Sequence, residues 1–490
     1  CTRNRPCHDI NKWETFKKYC MRDVDVERQI ADKLKMYPIS DEEHRLYVLD
    51  QIINDRGVLV DSELAEQAVK LNSIQTAVAV EQAYMITGLE NPNSVTQLKQ
   101  WLKEKGVEIE SLSKKSVKSL ADETDGDVSE MLKLRLLMAK TSVKKYEAVI
   151  RSVCSDNRVH GMMRFCGANR TGRWSGNILQ PQNLPQNHLP DLTLARDIVK
   201  DGDFEMLDMM FGNVPNVLSE LIRTVLIPKP NHRFIVADFS AIEARVLAWI
   251  AGEQWRIDTF KNGGDIYCAS ASKMFKVPVE KHGVNGELRQ KGKISELACG
   301  YGGSVGALNM GAVEMGVQEN ELQGLINDWR NANPHIVRFW YEVGNAAMKA
   351  IKEKTTVPLG KLVFAYERGI LFIRLPSGRR LSYIKPRIGT NRFGGDSITY
   401  MGINSAKKWD RLETFGGKLT ENIVQGTARD LLANALINAA NAGYDTVFHV
   451  HDEIICEVPN GYGSVDELCK LMCIKPEWAD GLPLNADGFE

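Results

Sequence analysis

Apolar residues recur every three or four positions over the first third of the chain and gather into short unbroken runs later, so helices should come first and a mixed helix–strand region should follow. Residues 1–36 read as helix, with Val26, Ile30 and Leu34 on one face, and break at Tyr37-Pro38. The helical period continues from about 40 to 150, interrupted at Asn91-Pro92-Asn93-Ser94. It is lost over 158–185, where Arg170-Thr171-Gly172-Arg173-Trp174-Ser175-Gly176 and Gln180-Pro181-Gln182-Asn183-Leu184-Pro185 predict irregular chain. Arg233-Phe234-Ile235-Val236-Ala237 predicts a strand ending at Asp238, with a helix beyond it to Gly252. Residues 254–345 read as helices broken at Gly263-Gly264 and Gly302-Gly303. Residues 370–375 and 379–383 flank Pro376-Ser377-Gly378 as a hairpin. A long helix over 419–442 stops near Gly443 and leads to two strand-like runs on either side of His451-Asp452-Glu453.

At 490 residues the chain is long enough for two to four domains or subdomains. With 43% apolar and 26% charged residues it is an ordinary globular composition, which excludes a wholly disordered chain. A formal charge of −1 means that any affinity for nucleic acid must come from local basic surfaces. No apolar stretch approaches the ~20 residues a membrane-spanning helix needs. The chain opens on Cys1 with no signal-peptide pattern, so a fragment lacking its true start is expected. Its ten cysteines lack metal-ligand spacing. Cys469 and Cys473 can share a helix face, but two thiols do not make a zinc site, and reduced, buried cysteines in a cytosolic protein are expected.

The chemistry concentrates at three places. Asp452 and Glu453 are adjacent acids between apolar runs, where a tight hairpin favours Gly or Asn and two neighbouring carboxylates repel unless solvated or metal-bound. Asp238 also ends an apolar strand, and two strand-end carboxylates can form the divalent-cation cradle that metal-assisted phosphoryl transfer needs. Next to it, Ser240-x-x-Glu243 reads as a capping box, which leaves Asp238 needing another role. Arg289, Lys293, Leu297 and Tyr301 lie four residues apart, hence on one helical face. A basic solvated face that turns apolar has the same spacing, but Leu297 and Tyr301 suit a solvated stripe poorly and Tyr301-Gly302-Gly303 stops it abruptly.

Together these segments resemble motifs A, B and C of family A DNA polymerases, the bacterial DNA polymerase I family, and Glu421-Asn422-Ile423-Val424-Gln425 is closer to bacteriophage members. The resemblance spans essentially the whole chain. It implies an α/β (α+β) right-hand fold with a thumb, an antiparallel palm sheet and helical fingers. The expected segments are an exonuclease remnant over 1–39, thumb over 40–150, palm over 151–253 and 403–490, and fingers over 254–402. Tyr19-x3-Asp23 resembles the third motif of the family's 3′–5′ exonuclease, whose other motifs would lie upstream of Cys1. The implied reaction is template-directed addition of dNTPs to a primer 3′-hydroxyl in phage DNA replication, with two Mg2+ ions held by Asp238, Asp452 and the backbone carbonyl of Phe239.

By the same resemblance Glu453 is an accessory carboxylate and His451 a primer-terminus contact. Glu243 lies beneath the incoming sugar as a steric gate against a 2′-hydroxyl. Arg289 and Lys293 take the triphosphate, Lys293 could also protonate the leaving group, and Leu297 and Tyr301 lie against base and sugar. Leu297 departs from the family's usual Phe or Tyr, and Tyr267 stands where bacterial members have a phosphate-binding His. Arg173 (in Thr171-Gly172-Arg173), Arg245, Asn422 and Gln425 are implied DNA contacts. The six basic residues without an acid between Arg374 and Arg392 are either a phosphate-binding surface or a solvated loop. Further lysines, Lys114-Lys115, Lys140 and Lys144-Lys145, lie on the later thumb helices. The expected partners are primer–template DNA and dNTPs, with no membrane, in the cytoplasm of a bacterial host. The alternatives are a single-subunit RNA polymerase, which Glu243 argues against, and a catalytically silent DNA-binding scaffold, which the intact motifs argue against.

Overall fold

The computed structural model describes residues 5–138, 143–306, 318–391 and 394–490, so Lys140 and Arg392 lie outside the described residues. The chain divides into two compact units, Cys1–Gln51 and Ile52–Glu490. In the first, α1 (Ile10–Leu34) starts at Asp9, whose carboxylate accepts the Lys12 N–H. Trp13 and Phe16 stack with ring centroids 5.5 Å apart, and Tyr19 is 61% exposed. The start of α2 (Asp41–Arg56) follows.

The second unit opens with a helical bundle: α3 (Ser62–Thr87), α4 (Val95–Glu104), α5 (Lys114–Glu123), α6 (Gly126–Met138) and α7 (Lys144–Ser152). Its core joins Ala79, Ala83, Leu98, Trp101, Leu102, Val117 and Leu132. The interruption at 91–94 ends in an N-cap, since Ser94 Oγ accepts the Gln97 N–H. Before the bundle, β1 (Val58–Val60) pairs with β2 (Arg158–Val159) and β5 (Leu226–Ile227), a sheet too short to leave a periodic signal. Between them lie β3 (Met163–Arg164), β4 (Ser175–Gly176), α8 (Leu192–Asp201), α9 (Phe204–Phe211) and α10 (Val214–Leu221).

Then come β6 (His232–Phe239), α11 (Ile242–Ala251), α12 (Gln254–Lys261), α13 (Ile266–Phe275), α14 (Leu288–Cys299), α15 (Leu322–Ala332) and α16 (Pro334–Glu353). The chain then turns to strands. β7 (Thr356–Leu359), β8 (Leu362–Glu367), β9 (Ile370–Arg374), β10 (Arg380–Thr390), β11 (Asp396–Ile403) and β12 (Trp409–Thr414) form one antiparallel sheet in the order β12-β11-β10-β9-β8-β7. Its apolar face packs on α16 and α17 (Gly416–Asn441) through Val343, Ala347, Phe364, Ile373, Tyr383, Leu419 and Ile423. The helical part of the segment 254–402 therefore ends at Glu353, and residue 402 falls inside β11.

The chain closes with β13 (Thr446–Val450), β14 (Glu453–Pro459), α18 (Val465–Met472) and β15 (Ala486–Phe489). The antiparallel sheet β13-β14-β6-β15 positions the acids, and its core face joins Val236, Val447, Phe448 and Ile455 to α3, α7 and α10. No helix among the described residues is long and apolar enough to cross a membrane. The described cysteines are free thiols. Only Cys268, Cys299 and Cys456 are buried, while Cys7, Cys20 and Cys154 are exposed, which corrects the expectation of uniformly buried cysteines.

Candidate active site

Alternation along β6 sets the first carboxylate. Val236 points into the core, and Asp238, two residues on, continues the same face to its solvent-open end. Directly across the ladder, Glu453 on β14 and Asp487 on β15 are both in register with Asp238. Cross-strand partners share a face, so three acids line up across three strands. Asp452 sits in the turn between β13 and β14, where its carbonyl accepts the Phe239 N–H at 3.2 Å. That bond ties the end of β6 to the turn.

Burial, followed by the charges of Asp452, Glu453 and Asp487, raises the Asp238 pKa to about 7. Burial also holds Asp452 and Glu453 above the usual carboxylate range, although Arg173 opposes the shift at Asp452 and Arg223 opposes it at Glu453. Such a group of acids gains from a cation. Among the described residues no three His, Cys, Asp or Glu side chains form a ready ligand cluster. The donor set nevertheless fits Mg2+, which takes one or two carboxylates together with waters and substrate phosphates and seldom needs an all-protein cage.

Two non-glycine residues beside these acids have left-handed backbone, Ala241 (φ 51) and His451 (φ 53). Strain of this kind persists only where the surroundings fix it, and it gathers at functional sites. The Ser240–Glu243 capping box is absent. Ala241 leads into α11 with no side-chain cap, Ser240 donates its hydroxyl to Asp487, and Glu243 turns elsewhere. Arg173 Nη2 donates to Glu243 Oε1 and the Tyr301 hydroxyl to Glu243 Oε2, each at 2.7 Å. This carboxylate thus joins the 171–173 loop, α11 and the residue just beyond α14.

On α14 the expected stripe faces outward. Only its Leu297 does so fully, at 67% exposed, while Arg289, Lys293 and Tyr301 are half-buried and Lys293 makes no ion pair with any described residue. Arg289 forms a fork with Asp265, Nε and Nη2 lying 2.9 and 2.8 Å from Oδ2, and its guanidinium stands 5.2 Å from the Tyr267 ring centre. The opposite face is locked. A Cβ on Gly292 would lie 2.3 Å from the Tyr267 carbonyl, so only glycine allows α14 to lie this close to α13. Glu296 is buried and takes both Arg256 nitrogens at 2.8 and 2.5 Å and the Trp329 N–H at 2.8 Å.

Of the expected DNA contacts, His451 is exposed and Gln425 half-buried, while Arg173 is engaged with Glu243. Two others are buried. Asn422, 5% exposed, donates its amide to the Tyr383 hydroxyl at 2.9 Å and so joins α17 to the six-stranded sheet. Arg245, 6% exposed, donates to the carbonyls of Ser240 and Pro483 and lies over the Phe260 ring, bracing α11. In the basic stretch after Arg374, Arg379 pairs with Asp430 and Arg380 with Glu367, while Arg374, Lys385 and Arg387 remain exposed. Lys145 donates to the Leu179 carbonyl, and Lys114, Lys115 and Lys144 are exposed. Asp487, Asp265 and Arg429 carried no local sequence signal, because only strand register and long-range packing bring them to the site.

A family model for DNA polymerase family A matches residues 62–473. The DNA polymerase of Bacillus phage SP02 is 52% identical over 491 residues, covering 99% of this chain and 76% of that protein. DNA polymerase I of Borreliella burgdorferi is 24% identical, covering 64% of this chain but 31% of its own length. The thermostable DNA polymerase I of Thermus aquaticus is 27% identical, covering 53% of this chain and 27% of its own. Among solved structures, the POL domain of Pol1 from M. smegmatis, in complex with DNA primer-template and dNTP, aligns with a TM-score of 0.62. It covers 91% of this chain and 68% of that one at 21% identity, a likeness of fold.

Proposed function

The chain belongs to DNA polymerase family A and is a DNA-directed DNA polymerase, and from that premise we propose that Asp238 and Asp452 hold two Mg2+ ions while primer and dNTP meet beside them. The observation that supports this most is the alignment of Asp238 with Glu453 and Asp487 beside Asp452, a group in which burial and then the neighbouring charges raise Asp238 to about 7. When bound, the ions supply Lewis-acid activation of the primer hydroxyl and neutralise charge on the phosphates.

The remaining work falls to side chains of the chain itself. Asp238 and Asp452 must be deprotonated to act as ligands, with the Phe239 carbonyl beside them and Glu453 adding negative charge. Arg289, Lys293 and the Tyr267 hydroxyl receive the triphosphate, where fixed cations stabilise charge that grows on the leaving pyrophosphate. Asp265 holds Arg289 in place before the nucleotide arrives. Lys293, which has no counter-ion among the described residues, can place a proton on the leaving oxygen. Leu297 and Tyr301 border base and sugar, and Glu243, gripped by two donors, fills the space a 2′-hydroxyl would need. Arg173, Gln425 and His451 contact the primer–template.

In this reading 40–150 is the thumb, 151–253 and 403–490 lie in the palm, and the helices up to Glu353 carry the fingers. The chain acts in the cytoplasm of a phage-infected bacterium. Primer extension by the purified chain with Mg2+, comparing dNTPs with rNTPs on two different templates, tests the proposal. Template-dependent extension with dNTPs is expected. No extension, or a preference for rNTPs, would overturn it.

A further inference from the structure

We infer that Arg429 is a positioning residue for sugar selection, acting through the loop that grips Glu243. Arg429 lies on α17 and is 2% exposed, so it can act only through its neighbours. A buried cation is costly unless paired and hydrogen-bonded, and its partners therefore show what it holds. Its Nη1 lies 3.3 Å from Asp430 Oδ1, and its Nε donates to the Gly172 carbonyl at 3.1 Å. The guanidinium stands 4.8 Å from the centre of the Trp174 ring and 5.5 Å from that of Phe165, so it also packs on the two ends of the same loop.

Asp430 is itself fixed. Arg379 Nε donates to Oδ1 at 2.6 Å and the Ser377 hydroxyl to Oδ2 at 2.5 Å, while Arg379 Nη2 donates to the Gly426 carbonyl at 2.9 Å. Two guanidiniums therefore share one carboxylate, each also donates to a backbone carbonyl, and Arg429 Nη2 reaches the Cys166 sulfur at 3.8 Å. Gly172 has φ +74, which strains any other residue, and a Cβ there would lie 2.5 Å from Arg379 Nη1, so a larger side chain would displace that guanidinium. The next residue, Arg173, reaches Glu243, which Tyr301 holds from the other side. An unbroken line of contacts thus runs Asp430, Arg429, Gly172, Arg173, Glu243, Tyr301. Arg429 and Arg173 also line one small cavity with His451 and Trp174. A one-ångström drift of Gly172 would move the Arg173 guanidinium off Glu243 and loosen the carboxylate that the 2′-position must clear.

The inference rests on reading Glu243 as the sugar gate. It is tested by the ratio of kcat/KM for rNTP to that for dNTP in the wild type, Arg429→Gln, Arg173→Ala and the double variant. Arg429→Gln should raise the ratio about tenfold, and should change it no further once Arg173 is Ala. Tyr444→Phe, which removes a hydrogen bond from a buried tyrosine to Glu467 far from this loop in sequence, should leave the ratio unchanged. Should Arg429→Gln fail to fold, Ser377→Ala removes one donor from Asp430 and should raise the ratio by a smaller factor, again only while Arg173 is present. An unchanged ratio, the same rise in the Arg173→Ala background, or an equal rise in Tyr444→Phe would overturn the inference. Failure of the gate itself is distinguishable, because Glu243→Ala would then leave the ratio unmoved as well.

Discussion

Replacing Tyr301 with Phe removes one oxygen and leaves the ring. In the wild type that oxygen donates to Glu243 Oε2 at 2.7 Å, and burial together with the Glu243 charge raises the phenol pKa well above its ordinary value, so it remains a donor at any working pH. A hydrogen bond to a charged group contributes about 1.5–3 kcal/mol, which bounds the change in sugar selectivity at about 10- to 150-fold. Glu243 keeps its second donor, Arg173 at 2.7 Å, so the low end of that range applies and the rNTP:dNTP ratio should rise about tenfold. The assay is single-turnover incorporation of matched rNTP and dNTP, each read as kcat/KM, with primer–template Kd as a control that should not move. A change in the dNTP rate with an unmoved ratio would show that this hydroxyl does not restrain the gate.

Three further outcomes follow from the geometry. Leu297 has no polar atom and faces outward, so the wild type should discriminate against dideoxynucleotides and Leu297→Tyr should relax this about tenfold, near 1.4 kcal/mol; equal ddNTP:dNTP ratios would mean that residue 297 does not border the sugar. Arg256→Met strands the buried Glu296 and should cost about 3–5 kcal/mol in denaturant unfolding, with part regained when Glu296→Gln is added; loss of less than half that would mean the pair does not anchor α14. Burial, with Arg429 nearby, pushes the His449 pKa down to about 3, so the folded protein keeps the imidazole neutral while the unfolded chain protonates it near its ordinary value. Stability should be complete above about 6.5 and fall toward acid by about 1.4 kcal/mol per pH unit, and His449→Gln should lose that slope; equal slopes in unfolding free energy between pH 6 and 5 would contradict it.

Much of the site is legible in the sequence because its signals are local. Asp238 near the end of an apolar strand, a helix with Arg289, Lys293 and Leu297 at four-residue spacing, and two adjacent acids between apolar runs are each written within a short stretch of chain. What escaped was set by partners far away in sequence. Ser240 and Glu243 match a capping box, yet Asp487 takes one and Arg173 and Tyr301 the other, and these outcompete the backbone N–H groups. Asp487 itself stands on a four-residue strand, and only its register against β6 shows that it belongs beside Asp238. Asn422 and Arg245 lie in segments that resemble DNA-binding elements, but packing turned both side chains inward. The strands β11 and β12 went unread because their burial depends on α16 and α17, elements the local pattern cannot bring together.

Asp238 and Asp452 are proposed as the metal-holding ligands of the polymerase reaction. Primer extension in Mg2+ by Asp238→Ala and Asp452→Ala, run beside primer–template binding and thermal unfolding, tests that most directly. Both side chains end at the solvent side of the sheet, outside its apolar core, so folding and most DNA affinity should survive while extension falls below detection. Near-normal turnover by a folded, DNA-binding Asp452→Ala protein would contradict the assignment.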